Sequence, residues 1–370
     1  MSQRRTQAGM VMIWLAGLAL AAAGVQAAAI SGRVWVDGNG DGQYTVGEAV
    51  LPRVCVSDGW TVARTDAAGR YRLPAGEGET LVRLSVPSGY WPEGGHWYLR
   101  LAAAQTTADF PLQAQRQATP WQFVQVTDIH YLPAAEKQVA AWDRQVAALH
   151  PAPALVIATG DLVMDSNPVA DETIVRRLFA EYLAAMTPLP APLLNLPGNH
   201  DHPGVSSTMP TDGPVWGLRG YEALVGPAWY SLNYAGVHLI AVDASTIDPL
   251  TGKLTPGLPS RCEDWLRRDL ALTPREQPLL LLCHQPPDEW HDGAPVEKLL
   301  QGRRVLGIFC GHLHTSNAFQ FAGFPGWIGG ALCGSWWTGP CPDGKPRGFR
   351  LVTVKSDAVD TTYVEAAKAP

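Results

Sequence analysis

The sequence predicts an α/β protein in two parts, a small all-β sandwich followed by a larger domain of strands and helices. The chain has 370 residues, which is long for one domain and suggests two. From Trp121 onward, short apolar runs alternate with amphipathic stretches of helical period, the pattern of a layered α/β domain. Between Ile30 and Leu112, short alternating strands are separated by Gly, Pro and Asp-Gly pairs, which is typical of a β-sandwich.

Composition gives no indication of disorder and disfavours nucleic-acid binding. Hydrophobic residues make up 46% of the chain and charged residues 17%, a balance that can bury a core. The net charge is -6, and nucleic acid is held mainly by Lys and Arg, so we expect no nucleic-acid scaffold binding. Any phosphate chemistry must then use a local positive charge, such as that of a metal ion.

The first residues have the features of an export signal. Arg4 and Arg5 precede an apolar run over residues 8–25, and small residues follow it. A positive start, an apolar middle and a small-residue end are typical of a cleaved signal peptide, which we assign to residues 1–27. The alternative is a membrane anchor, but the run is short and rich in Ala and Gly for a stable span. We therefore expect a periplasmic or secreted protein with no transmembrane span in the mature chain.

Three segments are expected after the signal peptide. They are a β-sandwich over residues 28–113, a polar linker over residues 114–119 and the larger domain over residues 120–370. The sandwich resembles carboxypeptidase-regulatory-like β-domains in the segment around Gly69, and such domains usually support or position a neighbour.

The sandwich contains a candidate calcium loop. Asp37, Asn39, Asp41 and Glu48 follow the spacing of the oxygen ligands in calcium-binding loops. The flanking helices of an EF-hand are missing, and strands are predicted on both sides instead. The alternative is an Asp/Gly-rich turn without an ion, and the sequence leaves both interpretations open.

The six cysteines are compatible with disulfides, because an exported chain meets an oxidising compartment. Cys333 and Cys341 flank a short loop and are the best candidate pair. Cys283 and Cys310 end apolar runs, where a free buried cysteine behaves as a small apolar residue. The sequence contains no CxxC motif, so the cysteines indicate neither a zinc knuckle nor a redox motif.

Polar motifs follow the ends of five predicted strands. They are Thr127-Asp128-Ile129-His130, Gly160-Asp161, Gly198-Asn199-His200-Asp201, His284 and Gly311-His312-Leu313-His314. In layered α/β proteins, ligand sites lie beyond the carboxyl ends of the strands. If these loops meet, their unpaired carboxylates and imidazoles would carry a large desolvation cost, which divalent cations remove. Mixed His nitrogen and Asp oxygen ligands suit Zn, Fe or Mn better than Ca or Mg alone.

The order DxH, GD, GNHD, a lone His after an apolar strand and then GHxH resembles that of the calcineurin-like metallophosphoesterases. The resemblance covers residues 121–315 and implies the family's fold, a pair of β-sheets sandwiched by helices. It also implies two divalent or trivalent metal ions, Mn, Fe or Zn. The implied ligands are Asp128, His130 and His314 for one metal and Asn199, His284 and His312 for the other, with Asp161 bridging both. No ligand position departs from the family pattern, and Asp165 fits the usual extension of GD.

The resemblance suggests a mechanism, because two metals can clamp the attacking and leaving oxygens of an in-line displacement. A metal-bridging hydroxide would be the nucleophile. His200, which holds no metal in this assignment, would be the general acid. Asp201 follows His200 directly, and we expect it to orient that ring.

Other residues near the motifs have simpler interpretations. The histidines that we expect at the surface are His150, His202 and His291. His238 and Asp243 are expected to be structural. Trp336 and Trp337 lie in a glycine-rich segment that resembles the end of the catalytic domain in a family subgroup with an N-terminal β-domain. They would either stack on a substrate ring or pack the domain edge, and the sequence leaves both open.

The sequence therefore predicts an exported, dinuclear metal-dependent phosphoric ester hydrolase. Its substrate would be a phosphate mono- or diester, either a small molecule or an envelope polymer. The alternative is a cell-envelope binding protein with a vestigial metal site, which the intact ligand set disfavours. A metallopeptidase is disfavoured because HExxH is absent from the sequence.

Overall fold

The computed structural model describes residues 29–75, 79–291 and 294–369. The predicted signal peptide, residues 1–27, lies outside these ranges. Within them, no helix combines the length and the apolar character needed to cross a membrane.

The N-terminal part is a sandwich of two four-stranded sheets. Its strands are β1 (Ala29–Val36), β2 (Cys55–Ser57), β3 (Val62–Arg64), β4 (Arg70–Pro74), β5 (Thr80–Leu84), β6 (Tyr90–Pro92), β7 (Tyr98–Leu101) and β8 (Phe110–Ala114). One sheet has the order β4-β1-β8-β6 and the other the order β3-β2-β5-β7. The predicted all-β architecture is confirmed here, although β8 extends one residue into the expected linker.

The larger domain contains two further sheets. Its strands are β9 (Trp121–Val126), β10 (Leu155–Thr159), β11 (Leu193–Leu196), β12 (Tyr230–Tyr234), β13 (Val237–Ala241), β14 (Ser245–Ile247), β15 (Leu254–Pro256), β16 (Leu279–Leu282), β17 (Val305–Cys310), β18 (Ala318–Phe321), β19 (Phe324–Ile328), β20 (Gly348–Val354) and β21 (Val359–Glu365). Its helices are α1 (Glu136–Ala147), α2 (Glu172–Met186), α3 (Gly217–Leu224), α4 (Ser260–Leu272) and α5 (Ala294–Leu300). The sheet orders are β11-β10-β9-β20-β21 and β12-β13-β16-β17-β19-β18, with β14 and β15 as a separate hairpin.

The two sheets pack face to face. Successive side chains of each strand point alternately into the core between the sheets and into the core under the helices. In β16, Leu280 belongs to the core between the sheets, whereas Leu281 belongs to the core under the helices. Across the inter-sheet core, the rings of Phe123 in β9 and Phe309 in β17 meet edge to face at 5.3 Å. The predicted pair of β-sheets sandwiched by helices is confirmed.

The sandwich is anchored on the larger domain, and the two parts share one apolar core. Arg83 in β5 pairs with Glu222 of α3 at 2.8 Å and donates to the backbone carbonyl of Trp229 at 3.0 Å. The rings of Trp97 and Tyr230 lie 4.5 Å apart across the same boundary. These contacts fit a supporting role for the sandwich.

The parallel strands place the polar motifs at one edge of each sheet. Strands β9, β10 and β11 pair in parallel, and so do β13, β16 and β17. The carboxyl ends of parallel strands lie side by side. Each motif found in the sequence therefore leaves its strand in the same direction as its neighbours.

In the larger domain, the sequence missed several short elements, namely α3, β12, β14, β15, β18 and β19. Helix α3 has eight residues and includes two glycines, Gly217 and Gly220, so it has low intrinsic propensity. Strands β14 and β15 have three residues each. Elements this short form because tertiary pairing supports them, and periodicity cannot reveal them.

Asp143, on the buried face of α1, gives a stability prediction that is independent of any site. Its side chain is 4% exposed, and its Oδ1 has no hydrogen-bond partner in the described part of the chain. Burial raises the pKa of Asp143 to about 7. An unfolded Asp has a pKa of about 4, so the folded protein holds this proton more tightly and loses stability as pH rises from about 4 to about 7.

We expect Asp143→Asn to raise the free energy of unfolding by on the order of 2 kcal/mol at pH 8 and by less at pH 5. Urea unfolding of both proteins at the two pH values measures this. Asp264→Asn, at an exposed position of α4, is the matched control and should change little. A gain from Asp143→Asn that is the same at both pH values would contradict the buried-charge explanation.

Candidate metal centre

The DxH and GHLH segments, which are distant in the chain, meet at one point. Asp128 Oδ1 lies 3.4 Å from Nε2 of His314. The Nε2 atoms of His130 and His314 lie 3.2 Å apart. Both carboxylate oxygens of Asp128 also accept the backbone N–H of His312, at 3.1 Å. The structure thus brings the first and last predicted ligand motifs together.

The ring nitrogens of this cluster indicate that it suits a cation. Nδ1 of His130 faces the carbonyl oxygen of Met164 at 3.1 Å, and Nδ1 of His314 faces that of Gly334 at 2.7 Å. Carbonyl oxygens only accept, so each Nδ1 donates its proton and each Nε2 presents a lone pair. Two lone pairs at 3.2 Å repel unless a cation binds them. A carbonyl on the outer nitrogen is also the usual support of a metal-binding histidine.

Asp161 connects this cluster to a second one. Its Oδ2 lies 3.4 Å from Nε2 of His130 and 3.0 Å from Nε2 of His284. The ligand atoms of the predicted metal-binding residues form two groups, and within each group these atoms all lie within 4.8 Å of one another. The groups are Asp128, His130, Asp161 and His314, and Asp161, His284 and His312. Asp161 belongs to both, which is the position of a shared ligand.

Asn199 supplies a further unsatisfied oxygen. It begins the short 3₁₀ turn after β11, and its Oδ1 is buried with no hydrogen-bond partner among the described residues. The next residue, His200, donates its backbone N–H to Asp161 at 3.0 Å, which places this turn against the shared carboxylate. A buried oxygen without a partner costs about 1–3 kcal/mol, and a metal ion would satisfy it. The donor set therefore fits the expected metals, and their identity stays a prediction.

The negative charge of Asp161 favours the binding of cations at this centre. Burial alone would lower the pKa of His284, but the Asp161 carboxylate outweighs it and raises that pKa to about 10. Burial and the nearby His284 lower the pKa of His312 to about 4. A centre that attracts a proton onto a buried imidazole also attracts a metal cation to the same place.

The backbone is strained at most of the predicted ligands. Positive φ angles occur at Asp128 (48°), His130 (43°), Asp161 (54°), His312 (72°) and His314 (51°). Each such non-glycine residue costs roughly 1–3 kcal/mol, and strain of this kind concentrates at functional sites. Gly198 allows a close approach of two loops, because a Cβ there would lie 2.2 Å from Oδ1 of Asp161.

His200 lies beside the centre and is partly open to solvent. Its ring is 4.9 Å from that of His130, and its side chain is 22% exposed. Its Nδ1 lies 3.3 Å from Oδ1 of Asp165. Burial acts to lower the pKa of His200, but the contact with Asp165 and nearby carboxylates raises it overall. The structure therefore pairs His200 with Asp165.

The orienting role expected for Asp201 is wrong. Its buried carboxylate accepts the backbone N–H groups of Leu162, Val163 and Gly198 at 2.8–3.2 Å. These bonds connect the GD loop to the GNHD loop. Neighbouring residues of a tight turn point in different directions, so adjacency in sequence did not imply contact with the His200 ring.

The surface position expected for His202 is also wrong. His202 is 2% exposed, with Nε2 3.3 Å from Asp243 Oδ2 and Nδ1 3.0 Å from the Gly198 carbonyl. The buried Asp243 carboxylate offsets the free-energy cost of burying the His202 imidazole. His238 is buried against Asp269 at 2.8 Å, in agreement with its expected structural place. The two remaining histidines in question, His150 and His291, are exposed.

The expected Cys333–Cys341 disulfide is absent, and both thiols are free and buried. A short intervening loop does not by itself bring two Cβ atoms into bonding geometry. Instead, Cys333 Sγ lies 3.8 Å from Nδ1 of His314 and forms a candidate ligand group with His130 and His314. Sequence reasoning also missed Glu289, whose Oε2 lies 3.8 Å from Nε2 of His312 and which no motif marks.

The candidate calcium loop uses its acidic side chains to hold its own backbone. Asp37 accepts two backbone N–H groups at 2.8 Å, and Glu48 accepts two more at 3.0 and 2.8 Å. Asp37, Asp41 and Glu48 do not form one of the compact ligand groups found in the described residues. Calcium binding at Asp37, Asn39, Asp41 and Glu48 gains no support from this geometry and stays a prediction.

Trp336 and Trp337 differ in their exposure and in their contacts with the metal centre. Trp337 is partly buried, and its Nε1 donates to the backbone carbonyl of His130 at 3.0 Å. Trp336 is 45% exposed, and its ring centroid lies 4.2, 5.3 and 5.4 Å from those of His130, His314 and His200. Both have positive φ, 52° and 65°. Trp337 therefore packs under the centre, and Trp336 forms one of its walls.

Two adjoining His/Asp clusters with a shared carboxylate, at the carboxyl ends of strands in a two-sheet α/β fold, are the arrangement of a metal-dependent hydrolase. The profile of the calcineurin-like phosphoesterases matches residues 122–316, which is more than half of the chain. The chain belongs to this family of metal-dependent phosphoester hydrolases. The profile of the N terminal of calcineurin-like phosphoesterase matches residues 38–115, so the sandwich is also a family feature.

Two curated relatives are similar to about half of the chain. A probable cyclic nucleotide phosphodiesterase of Rhodococcus erythropolis is 27% identical over 194 residues, covering 49% of this chain and 58% of that protein. A cAMP/cGMP dual specificity phosphodiesterase of Mycobacterium tuberculosis is 28% identical over 195 residues, covering 49% and 55%. The chain spans little more than half the length of these relatives.

Two solved structures are distantly similar to the chain. GAP50, described as the anchor in the inner membrane complex of Plasmodium, is 11% identical with a TM-score of 0.45, covering 68% of this chain and 87% of that one. A 5'-nucleotidase from Candida albicans is 13% identical with a TM-score of 0.40, covering 68% and 52%. Similarity at this level carries no argument about function.

Proposed function

We propose that this protein is an exported, two-metal phosphoesterase that cleaves phosphate diesters in preference to monoesters. The observation that carries the proposal is Asp161, whose single carboxylate belongs to both ligand groups. The two similar phosphodiesterases support the diester preference. The charge around the site also supports this preference. Among the described residues, no hydrogen bond or ion pair joins a Lys or Arg to the predicted metal ligands, and Glu289 faces His312. A monoester, which carries two negative charges, would gain less electrostatic stabilisation from such surroundings than a diester, which carries one.

When bound, two metal ions would supply positive charge to the phosphoryl oxygens and activate a water for in-line attack. The chain's own residues place and protonate the leaving group. The Asp165 carboxylate lies 3.3 Å from Nδ1 of His200 and favours the protonated ring, whose Nε2–H can be given to the leaving oxygen. Trp336 covers the histidine side of the centre and offers an exposed aromatic face beside it.

A paired assay tests the activity. The metal-loaded protein is given bis(4-nitrophenyl) phosphate and 4-nitrophenyl phosphate, with Mn, Fe and Zn supplied separately. We expect kcat/KM for the diester to exceed that for the monoester by about tenfold or more, about 1.4 kcal/mol. A preference for the monoester would overturn the diester assignment. Cleavage of neither substrate with any metal would overturn the phosphoesterase proposal.

Export rests on the sequence of residues 1–27, where two arginines precede an apolar run. Fractionation of the producing cell, followed by N-terminal sequencing of the purified protein, tests it. We expect an extracytoplasmic protein that begins near residue 28. A cytoplasmic protein that retains its first residues would contradict export without affecting the proposed chemistry.

The exposed face of Trp336 predicts selectivity for substrates with an aromatic ring. We expect Trp336→Ala to lower kcat/KM about tenfold for diesters carrying a nucleobase or aryl ring, because ring stacking contributes about 1–1.5 kcal/mol. Diesters of small alkyl alcohols should lose little. Trp60→Ala, at a 50% exposed position of the sandwich, is the control. Equal losses for both substrate types would argue against stacking.

A further inference from the structure

Two buried cysteines contact each other beneath the second group of predicted metal ligands. Cys283 follows β16 and directly precedes His284, and Cys310 ends β17, two residues before His312. The Sγ atoms of the two cysteines lie 3.4 Å apart. No hydrogen bond joins any other two thiols in the described part of the chain. The structure therefore shows a reduced pair of thiols in contact.

The strand register holds these two cysteines opposite each other. Strands β16 and β17 are parallel, and Leu282 pairs with Phe309, so the next pair in the register is Cys283 and Cys310. The backbone N–H of Cys283 donates to the carbonyl of Phe309 at 3.1 Å. Both cysteine side chains belong to the core under the helices. Neighbouring strands lie about 4.8 Å apart, within the Cα–Cα range of disulfides, so a bond requires no shift of register.

The remaining cysteines are placed differently. The sulfurs of Cys333 and Cys341 contact backbone carbonyl oxygens, that of Gly334 at 3.3 Å and that of Pro346 at 3.7 Å. A fifth cysteine lies in α4 and a sixth begins β2, and among the described residues neither forms a hydrogen bond with another thiol. The geometry therefore distinguishes one pair among the six cysteines.

We propose that Cys283 and Cys310 form a disulfide that ties together the loops carrying His284 and His312. The two loops already adjoin, because Gly311 donates its backbone N–H to the carbonyl of His284 at 2.9 Å. A bond at their base restricts their relative movement, which favours retention of a metal ion that both histidines bind. This inference rests on the proposed export for its oxidising compartment and on the predicted metal ligands for its role.

The bond forms by exchange with a disulfide oxidant, two thiols being oxidised and one disulfide reduced. The thiolate of one cysteine attacks a sulfur of the oxidant, which releases one oxidant thiol and leaves a mixed disulfide. The thiolate of the other cysteine then attacks the protein sulfur of the mixed disulfide and releases the second oxidant thiol. The two electrons and the two thiol protons pass to the oxidant. Because both cysteines are 0% exposed, exchange takes place before folding is complete, and folding then shields the bond from reductants.

Peptide mapping after oxidative refolding tests the bond and supplies the oxidant, so the outcome does not depend on export. The reduced, denatured full-length chain is refolded with reduced and oxidised glutathione, and the remaining thiols are blocked before digestion. Of the six cysteines, we expect four to be blocked and the other two, Cys283 and Cys310, to be found in one cross-linked peptide pair. The same mapping is applied to the chain exported by an unrelated signal peptide, which removes any dependence on refolding in vitro. Six free thiols, or a bond between any other two cysteines, would overturn the proposal.

Thermal unfolding of the oxidised and reduced forms measures the effect of the bond on stability. The oxidised wild-type protein should unfold at least about 5 °C above its reduced form. The double variant Cys283→Ala and Cys310→Ala should show no such difference, and Cys262→Ala, which removes a buried thiol from α4, should keep it. Each protein is compared with its own second form, so destabilisation by alanine does not affect the comparison. A difference that persists in the double variant would contradict this bond as its cause.

Metal release tests the role of the bond at the metal centre. The oxidised and reduced wild-type proteins are loaded with Zn and mixed with an excess of a colorimetric chelator. We expect the oxidised form to release its metal at least about threefold more slowly, because a support of the ligands is lost on reduction. Equal release rates, or no bound metal in either form, would overturn this role while leaving a mapped bond intact. None of these measurements uses a phosphoester, so failure of the disulfide and failure of the proposed hydrolysis are distinguishable.

Discussion

The Asp161→Asn variant should lose on the order of 10³-fold in kcat/KM for phosphate diesters, about 4 kcal/mol of transition-state stabilisation. Asp161 is the carboxylate found in both ligand groups, at 3.0 Å from His284 and 3.4 Å from His130. An amide is neutral and has only one oxygen, so it cannot hold two cations as a carboxylate does. The loss should be accompanied by a fall in bound metal per chain.

Steady-state kinetics and elemental analysis of the same preparation measure both effects. Asp264→Asn makes the same chemical change at an exposed position and should leave both quantities unchanged. Circular dichroism checks the fold, because Asp161 also accepts the backbone N–H of His200. An Asp161→Asn protein that keeps wild-type rate and metal content would remove the basis for a shared ligand.

His200→Gln should lower kcat about 10²- to 10⁴-fold for diesters with alkyl leaving groups, the usual contribution of a general acid. The loss should be much smaller for 4-nitrophenolate, because this leaving group departs without a proton. The reason is geometric: Nδ1 of His200 is engaged by Asp165 at 3.3 Å, and the ring lies at the open edge of the centre. Measuring kcat for diesters with each kind of leaving group tests this dependence.

Asp165→Asn should show the same leaving-group dependence with a smaller loss, about tenfold, because Asp165 acts by positioning His200. His150→Gln changes an exposed histidine outside the motifs and is the control for the substitution itself. If His200→Gln slowed alkyl and 4-nitrophenyl diesters equally, its role would be binding or metal support and not proton donation.

The fold was predictable where an apolar run ends at a polar motif. Strands β9, β10, β16 and β17 were found because each is an apolar run that ends at a polar motif. The two-sheet arrangement came from the family resemblance and was confirmed. Periodicity could not reveal α3 or the β14–β15 hairpin, because these elements are short and depend on tertiary contacts.

The sequence predicted which loops meet at the candidate site, but it did not predict which side chains contact one another. Strand ends place Asp128 and Asp161 together because β9 and β10 are parallel neighbours in one sheet. His314 follows β17 of the other sheet, and the packing of the two sheets brings it to Asp128. The partner of His200 depends on the direction of side chains in a tight turn, and sequence adjacency favoured Asp201 wrongly. The burial of His202 depends on Asp243, which lies far along the chain, so no local pattern could indicate it.

Crystallography of the metal-loaded protein, with anomalous scattering to locate the ions, tests the central claim most directly. The account predicts two ions roughly 3.5–4 Å apart, with Asp161 in contact with both. One of them should lie against His130 and His314, and the other against His284 and Asn199. A single ion, or ions bound away from Asp161, would contradict the account.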